Sequence, residues 1–214
     1  MGCGCGCGVQ TQRAVALCYN PLTVADPKAL FAPDPKLVEK LVKKKVVYDG
    51  RQVNFCCDEI ELPDGGKATR EYMDHPGAVG VVPLLPNGHV VLVRQYRYPV
   101  AEVTLELPAG KLDHGPEDLV DCVQRELQEE TGYTAGKIMP LIDYWPTPAF
   151  ANEVLHLFVA EDLKEGQVHP DEDEFIEKVE MPFDEALDLI KQGLIKDSKT
   201  IVGLLACDAW RRRK

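Results

Sequence analysis

The stretch GKLDHGPEDLVDCVQRELQEETGY, Gly110–Tyr133, decides the fold, because its acidic side chains have a spacing that packing alone does not require. Glu126 and Glu130 are four residues apart and Glu129 is three from Glu126, so a helix would bring these carboxylates onto one face. Crowded carboxylates repel one another unless a cation lies among them, and all-oxygen ligands suit Mg2+ or Mn2+. The competing interpretation is a solvated acidic helix surface.

The same stretch carries the signals of a helix. Leu119, Val123 and Leu127 repeat at i, i+4 and supply an apolar stripe. Pro116–Asp118 suit a first turn, where proline is tolerated and acidic groups complement the positive end of the helix. Gly132 suits a left-handed stop. The sequence therefore predicts a helix with one buried face and one carboxylate face.

The whole stretch resembles the Nudix box, a pattern of the form G-x5-E-x7-R-E-U-x-E-E-x-G-U in which U is a bulky apolar residue. The residues in register are Glu117, Arg125, Glu126, Leu127, Glu129, Glu130, Gly132 and Tyr133. Six residues instead of five separate Gly110 from Glu117, which changes the loop before the helix and leaves the carboxylate face intact. The resemblance implies an α+β fold of the α/β/α sandwich type with a mixed sheet.

The resemblance also implies roles for particular residues. Glu126 and Glu130 would bind the metal together with the backbone carbonyl of Ala109, and Glu129 would be a further ligand or an orienting group. Arg125 would hold a carboxylate in place. The implied reaction is attack of water on a nucleoside diphosphate linked to another group, with a metal ion neutralising the phosphate charge.

The flanks of the box resemble the ADP-ribose pyrophosphatase branch of the Nudix family, from about residue 44 to residue 205. The likeness is carried by YDGRQVNF, REYMDHPGAVGVV, VRQYRYPV, LELPAGKLD, WPTPAFANE, DEFIEKVEMP and IKDSKTIVGLL. Thr147–Ala149 replaces the usual Ser-Pro-Gly, and Asn152 stands where aspartate is frequent. ADP-ribose would give AMP and ribose 5-phosphate. The alternatives are a sugar-nucleotide pyrophosphatase, for example for GDP-mannose, or a non-catalytic nucleotide sensor.

A general base is expected in the acidic loop HPDEDEFIE, residues 169–177, because relatives in this branch often take it from a loop before a late strand. Glu174 is the leading candidate, with Asp173 and Glu172 next. Glu153 is the alternative outside this loop.

Arginines are expected to bind the phosphates, because the guanidinium fork can hold phosphate through two hydrogen bonds. Arg70 and Arg97 match positions where relatives place substrate-binding arginines, and Arg94 is a lesser candidate. The competing interpretation is an ordinary ion pair on a strand, for instance with Glu71 or Glu106.

Composition narrows the class of protein further. The 214 residues carry a net charge of -11, which argues against binding to nucleic acid. The eight cysteines do not form a secreted disulfide framework, so we expect a reducing cytoplasm. The sequence has no signal peptide or transmembrane run, but the start MGCGCGCG is similar to an acylation site at Gly2 and Cys3. The other interpretation of this start is a disordered tail.

Three regions are expected along the chain. Residues 1–33 are predicted to be a flexible extension, and residues 34–76 a short helix over PDPKLVEKLVKKK followed by antiparallel strands. Residues 77–214 are predicted to be the Nudix domain, with a strand pair joined through Asn87-Gly88, the acidic helix, further strands and two final helices. Relatives in this branch are homodimers, so a homodimer is expected.

Overall fold

The computed structural model describes residues 26–51, 53–112, 118–167 and 175–213. Within these ranges the strands are β1 (Lys40–Lys43), β2 (Val46–Asp49), β3 (Asn54–Glu61), β4 (Lys67–Asp74), β5 (Ala78–Pro83), β6 (His89–Arg97), β7 (Glu102–Glu106), β8 (Ala109–Lys111), β9 (Tyr133–Tyr144), β10 (Leu155–Glu165) and β11 (Glu177–Pro182). The helices are α1 (Leu119–Thr131), α2 (Phe183–Lys191) and α3 (Ser198–Arg211). Two short 3-10 turns, Pro27–Phe31 and Tyr98–Val100, precede β1 and β7.

An antiparallel sheet near the N-terminus is built around β3. β4 pairs with β3 along the whole length of both strands, from Asn54 opposite Asp74 to Glu61 opposite Lys67. β1 and β2 share the other edge of β3. The antiparallel strands predicted for this region are therefore present.

The helix predicted over residues 33–45 is wrong. Pro35–Leu37 is a turn, and the residues that follow it form β1. Leu37 and Leu41, which helical spacing would place on one face, are both exposed. The free edge of β3 offers backbone hydrogen bonds to an extended segment, and Lys40 reaches Glu61 across it at 3.2 Å. Strand pairing thus outweighed a weak helical pattern.

The other strands form two sheets that lie between helices. One has the order β8-β5-β10-β9, with β5 and β10 parallel, and the other is the antiparallel sheet β11-β6-β7. Neighbouring valines of β5 belong to different cores: Val81 packs with Val123 and Leu127 of α1, and Val82 packs with Leu204 of α3. This mixed α/β/α sandwich confirms the predicted α+β fold class.

The hairpin predicted at Asn87-Gly88 is present only as a turn. Gly88 has a φ of 83°, a conformation that favours glycine, and the Asn87 side chain accepts a hydrogen bond from the His89 N–H at 3.0 Å. Beyond the turn, Leu84 and Val90 form an isolated bridge, and β5 and β6 then enter different sheets.

Helix α1 is capped at both ends by its own sequence. The Asp118 carboxylate accepts a hydrogen bond from the Val120 N–H at 2.8 Å, so Asp118 is the N-cap and the helix starts after it. Gly132 closes the helix in the left-handed conformation, and its N–H donates to the Gln128 carbonyl. The predicted stop is confirmed, whereas Pro116 lies outside the described residues.

The structure bears on two further expectations. In the described ranges, no helix is both long enough and apolar enough to cross a membrane. The cysteines of these ranges are all free thiols: Cys56, Cys57, Cys122 and Cys207. Gly2 and Cys3 lie outside the described residues, so their acylation stays a prediction, as do the domain limits.

Candidate active site

The carboxylate face of α1 lies against β8, the short strand that follows LELP. Glu126 approaches Gly110 so closely that a Cβ built on Gly110 would lie 1.9 Å from its carboxylate carbon and from Oε1. A glycine is therefore required here for close approach and not for an unusual φ. The first glycine of the box makes room for one of its glutamates.

Glu130 is held at the neighbouring residue of the same strand. Its Oε2 accepts a hydrogen bond from the Ala109 N–H at 3.1 Å, and the residue is only 5% exposed. A buried carboxylate is costly unless it is paired or hydrogen-bonded, so its place in this helix has a reason other than packing. Glu126 and Glu130 thus converge on adjacent residues of β8, as their spacing predicts.

Arg125 joins the two other carboxylates of the face. Its Nη1 donates to Glu126 Oε1 at 2.7 Å and to Glu129 Oε2 at 2.9 Å, while Nη2 contacts Cys122 Sγ at 3.4 Å. These bonds are those expected of an arginine that holds carboxylates in place. Because one nitrogen bonds both groups, the carboxylates of Glu126 and Glu129 lie close together.

The donor set fits a hard divalent cation in chemistry. The donors are carboxylate oxygens that lie beside Gly110 of β8, where the missing Cβ leaves space for them. In the part of the chain that the structure describes, no three His, Cys, Asp or Glu side chains form a preassembled metal cluster. Here the Arg125 guanidinium supplies the positive charge that balances Glu126 and Glu129.

A hollow of about 440 Å³ is lined by Arg125 and Glu129 of this face, and a separate cavity of about 500 Å³ is lined by Arg97. Hydrogen bonding to Glu106 raises the pKa of Arg97, burial opposes this effect, and the charges of Glu106, Glu130 and Asp197 raise it further. The guanidinium is therefore within electrostatic range of the buried Glu130. Among the box carboxylates, Glu130 is the one whose charge acts on Arg97.

Glu106 is the buried partner of Arg97. It accepts from Arg97 Nε at 2.8 Å and from Nη2 at 2.7 Å, from Thr104 Oγ1 at 2.6 Å, and from Lys199 Nζ. Burial alone would raise the pKa of Glu106, but the hydrogen bonds and charges of Arg97 and Lys199 outweigh it and lower the pKa to about 2. The ion pair considered for Arg97 is thus present, and it lies in the cavity wall.

The other two candidate arginines lie elsewhere. Arg70 on β4 forms a two-point ion pair with Glu39, not with Glu71 or Glu106, and lines a separate hollow of about 520 Å³ with Trp145. Arg94 donates to Glu177 across β6 and β11 at 2.6 Å, and both side chains are largely exposed. Their substrate contacts stay predictions.

The candidate bases are less well defined. Glu172, Asp173 and Glu174 lie outside the described residues. Glu153 Oε1 is 3.7 Å from His75 Nδ1, too far for a hydrogen bond. His75 Nδ1 accepts a hydrogen bond from the Gly77 N–H at 3.2 Å.

Two features of the site escaped sequence analysis. One is the contact of Gly110 with Glu126. The other is the contact of two neighbouring residues at the start of α3 with the end of β7: Lys199 contacts Glu106, and Thr200 contacts Leu107. The signal for the second was a charged residue inside an apolar strand, Glu106 in LELP, which requires a buried cation.

Known proteins resemble this chain over most of its length. The profile of the NUDIX domain matches residues 74–201. The chain is 42% identical over 168 residues to the methanol dehydrogenase activator of Bacillus methanolicus, covering 78% of this chain and 90% of that protein. It is 39% identical over 166 residues to the ADP-ribose pyrophosphatase of Bacillus subtilis, covering 77% and 89%. It is 41% identical over 127 residues to the GDP-mannose pyrophosphatase of Yersinia enterocolitica, covering 55% and 65%.

A solved structure shares the fold. The crystal structure of an ADP compounds hydrolase superposes with a TM-score of 0.72 at 23% identity, covering 82% of this chain and 95% of that one. The profile spans more than half of the chain, and relatives are matched at about 40% identity over most of their length. With the box glutamates gathered at β8, these matches show that the chain belongs to the Nudix family of pyrophosphohydrolases.

Proposed function

We propose that this protein hydrolyses the diphosphate bond of ADP-ribose to AMP and ribose 5-phosphate in the presence of Mg2+. The observation that carries the proposal is the meeting of Glu126 and Glu130 at β8, with the charge of Glu130 acting on the guanidinium of Arg97. The ADP-ribose pyrophosphatase of Bacillus subtilis, at 39% identity, supports ADP-ribose as the substrate.

Nudix hydrolases generally use a divalent metal, and Mg2+ is our choice because the donors are carboxylates. Glu126, Glu130 and the Ala109 carbonyl would hold the ion, with Glu129 as a further ligand or orienting group. When bound, the metal neutralises phosphate charge and lowers the pKa of a coordinated water.

The remaining residues act on the substrate itself. Arg97 would bind the diphosphate through its guanidinium, which carries a permanent positive charge. The base would be Glu174, with Glu153 as the alternative. Arg125 would keep Glu126 and Glu129 oriented, through the bonds of 2.7 and 2.9 Å described above.

The nucleoside end of the substrate would lie in the second hollow. Arg70 lines it together with Trp145 and Phe150, and the two aromatic side chains are 65% and 53% exposed. Exposed aromatic rings beside an arginine suit stacking on a nucleobase. Arg94 is the weakest of the three candidates, because its pair with Glu177 is solvent-exposed.

The N-terminal sheet supports a homodimer. Apolar side chains on β1 and β2 are exposed, including Leu41, Val42 and Tyr48, and an exposed apolar group of this kind favours association. We place the dimer in the cytoplasm, since the described cysteines are free thiols. Acylation at Gly2 and Cys3 would add membrane association, and intact-mass measurement of protein from its native cell tests it.

GDP-mannose is the second candidate substrate, favoured by the 41% identity to a GDP-mannose pyrophosphatase. A panel of nucleoside diphosphate derivatives with Mg2+, analysed for products, separates the candidates. AMP and ribose 5-phosphate from ADP-ribose support the proposal, and GMP from GDP-mannose supports the second candidate. Binding without any turnover would leave a nucleotide sensor and contradict both.

A further inference from the structure

A buried network surrounds Glu106 on the wall of the 500 Å³ cavity. Glu106 is 1% exposed at the end of β7, yet Arg97, Thr104 and Lys199 all donate hydrogen bonds to its carboxylate. Lys199 comes from the first turn of α3, so the network joins β6, β7 and that helix. A buried carboxylate with two cationic partners is expensive to assemble unless every group is satisfied.

The geometry fixes the orientation of Arg97. Nε and Nη2 donate to the two oxygens of Glu106 at 2.8 and 2.7 Å, a two-point contact that sets the plane of the guanidinium. Within the described ranges, no protein group accepts a hydrogen bond from the third nitrogen, Nη1. The side chain of Arg97 is 45% exposed and lines the cavity. The face of the guanidinium that Glu106 leaves unused is therefore available to an anion.

Lys199 is a second cation that contacts Glu106. A diphosphate beside Arg97 competes with Glu106 for the guanidinium, because both are negative. Lys199 gives Glu106 a second cation, and the Lys199 side chain is itself only 10% exposed and 3.2 Å from Asp197. Glu106 is thus held by a second cation, which is largely buried, in addition to Arg97.

The same turn of α3 also holds the strand segment that leads to the metal ligands. Thr200 Oγ1 accepts from the Leu107 N–H at 2.8 Å and donates to Asp197 Oδ2 at 2.6 Å. Leu107 lies two residues before Ala109, which holds Glu130. The network is therefore connected to both halves of the candidate site.

We propose that Glu106 and Lys199 are positioning residues: Glu106 holds the guanidinium of Arg97 in the orientation that binds the diphosphate, and Lys199 keeps Glu106 in place. The inference rests on the proposed function, since it assumes a diphosphate at Arg97. The lowered pKa of Glu106 is consistent with a carboxylate that stays charged at neutral pH. A purely stabilising ion pair is the alternative to be excluded.

A double-mutant cycle separates the two roles. We expect Glu106→Gln, which keeps the side-chain shape but loses one acceptor for Arg97, to raise KM for ADP-ribose about tenfold or more with a smaller change in kcat. In the Arg97→Met background the same substitution should change KM less than twofold, because there is no guanidinium left to orient. Lys199→Met should also raise KM, and it takes the place of Glu106→Gln in the experiment if Glu106→Gln does not fold. The control variant is Asp208→Asn, which removes an ion pair with Arg212 at the far end of α3.

The outcomes are distinct. A KM effect of Glu106→Gln that disappears without Arg97, in proteins that melt cooperatively, supports the positioning role. An equal effect in both backgrounds, or an unchanged KM in folded Glu106→Gln and Lys199→Met, overturns it while leaving wild-type hydrolysis intact. If wild type does not hydrolyse ADP-ribose, the proposed function fails, and the cycle is repeated with the calorimetric Kd of ADP-ribose. Absence of binding as well would overturn both proposals.

Discussion

Replacing Gly110 with alanine should disable the site while leaving the fold in place. The added Cβ would lie 1.9 Å from the carboxylate carbon of Glu126, whereas ordinary contacts begin at 3.4 Å. The carboxylate must therefore move by about 1.5 Å, the difference between these distances. We expect that displacement to break its 2.7 Å hydrogen bond with Arg125 as well.

We expect Gly110→Ala to lower the catalytic rate and to leave the stability of the fold nearly unchanged. A misplacement of about 1 Å can lower a rate by about 100-fold, which corresponds to about 2.7 kcal/mol of lost transition-state stabilisation. The overlapping atoms belong to the end of one flexible side chain, and alanine is favoured over glycine in a strand by about 0.5 to 1 kcal/mol. We therefore expect Tm to change by less than about 3 °C.

The assay is steady-state hydrolysis of ADP-ribose with Mg2+, paired with thermal melting of each protein. Gly136→Ala is the matched control, since its Cβ would meet only Asp162, at 3.1 Å, and should leave kcat/KM unchanged. In the Glu126→Gln background, Gly110→Ala should lower kcat/KM by less than about threefold more, because the carboxylate it displaces is already gone. The reasoning would be refuted if Gly110→Ala kept the kcat/KM of the wild type. It would also be refuted if thermal melting showed that the loss of activity is due to unfolding.

Two predictions concern stability. The pKa of Glu106 lies at about 2, below its ordinary value of 4.5, so the stability it contributes is present above pH 4.5 and is lost as pH falls towards 2. The Tm difference between wild type and Glu106→Gln should shrink over that interval, and a difference that does not change with pH would contradict it. Gly132→Ala forces alanine to a φ of 77° and should cost about 1 kcal/mol in urea unfolding. An unchanged midpoint would show that the helix end relaxes instead.

The acidic helix could be predicted because its signals are local. Apolar spacing from Leu119 to Leu127, a glycine stop and carboxylates at i, i+3 and i+4 all depend on residues within one segment. The helix predicted over residues 33–45 was wrong because its local helical spacing was weak. The edge of β3, which is distant in the sequence, offered a strand to pair with instead. The strong turn at Asn87-Gly88 formed, but whether its strands stay paired depends on which sheet each one joins.

Only the part of the candidate site that lies on α1 could be predicted from the sequence. Glu126, Glu129, Glu130 and Arg125 share one helix, so their proximity follows from spacing. Of the cationic partners of Glu106, Arg97 was already considered from the sequence, whereas Lys199 comes from α3, 93 residues later, and no local pattern brings it to Glu106. The same holds for Arg70, whose partner Glu39 lies 31 residues away on a segment predicted to be helical.

The dependence of ADP-ribose hydrolysis on Mg2+ concentration, compared between wild type and Glu126→Gln, tests the central claim most directly. We predict that wild-type turnover saturates with Mg2+ and falls to background after chelation, and that Glu126→Gln is at least about 100-fold slower at every Mg2+ concentration. Full turnover by the chelated protein, or wild-type turnover by folded Glu126→Gln, would contradict the account.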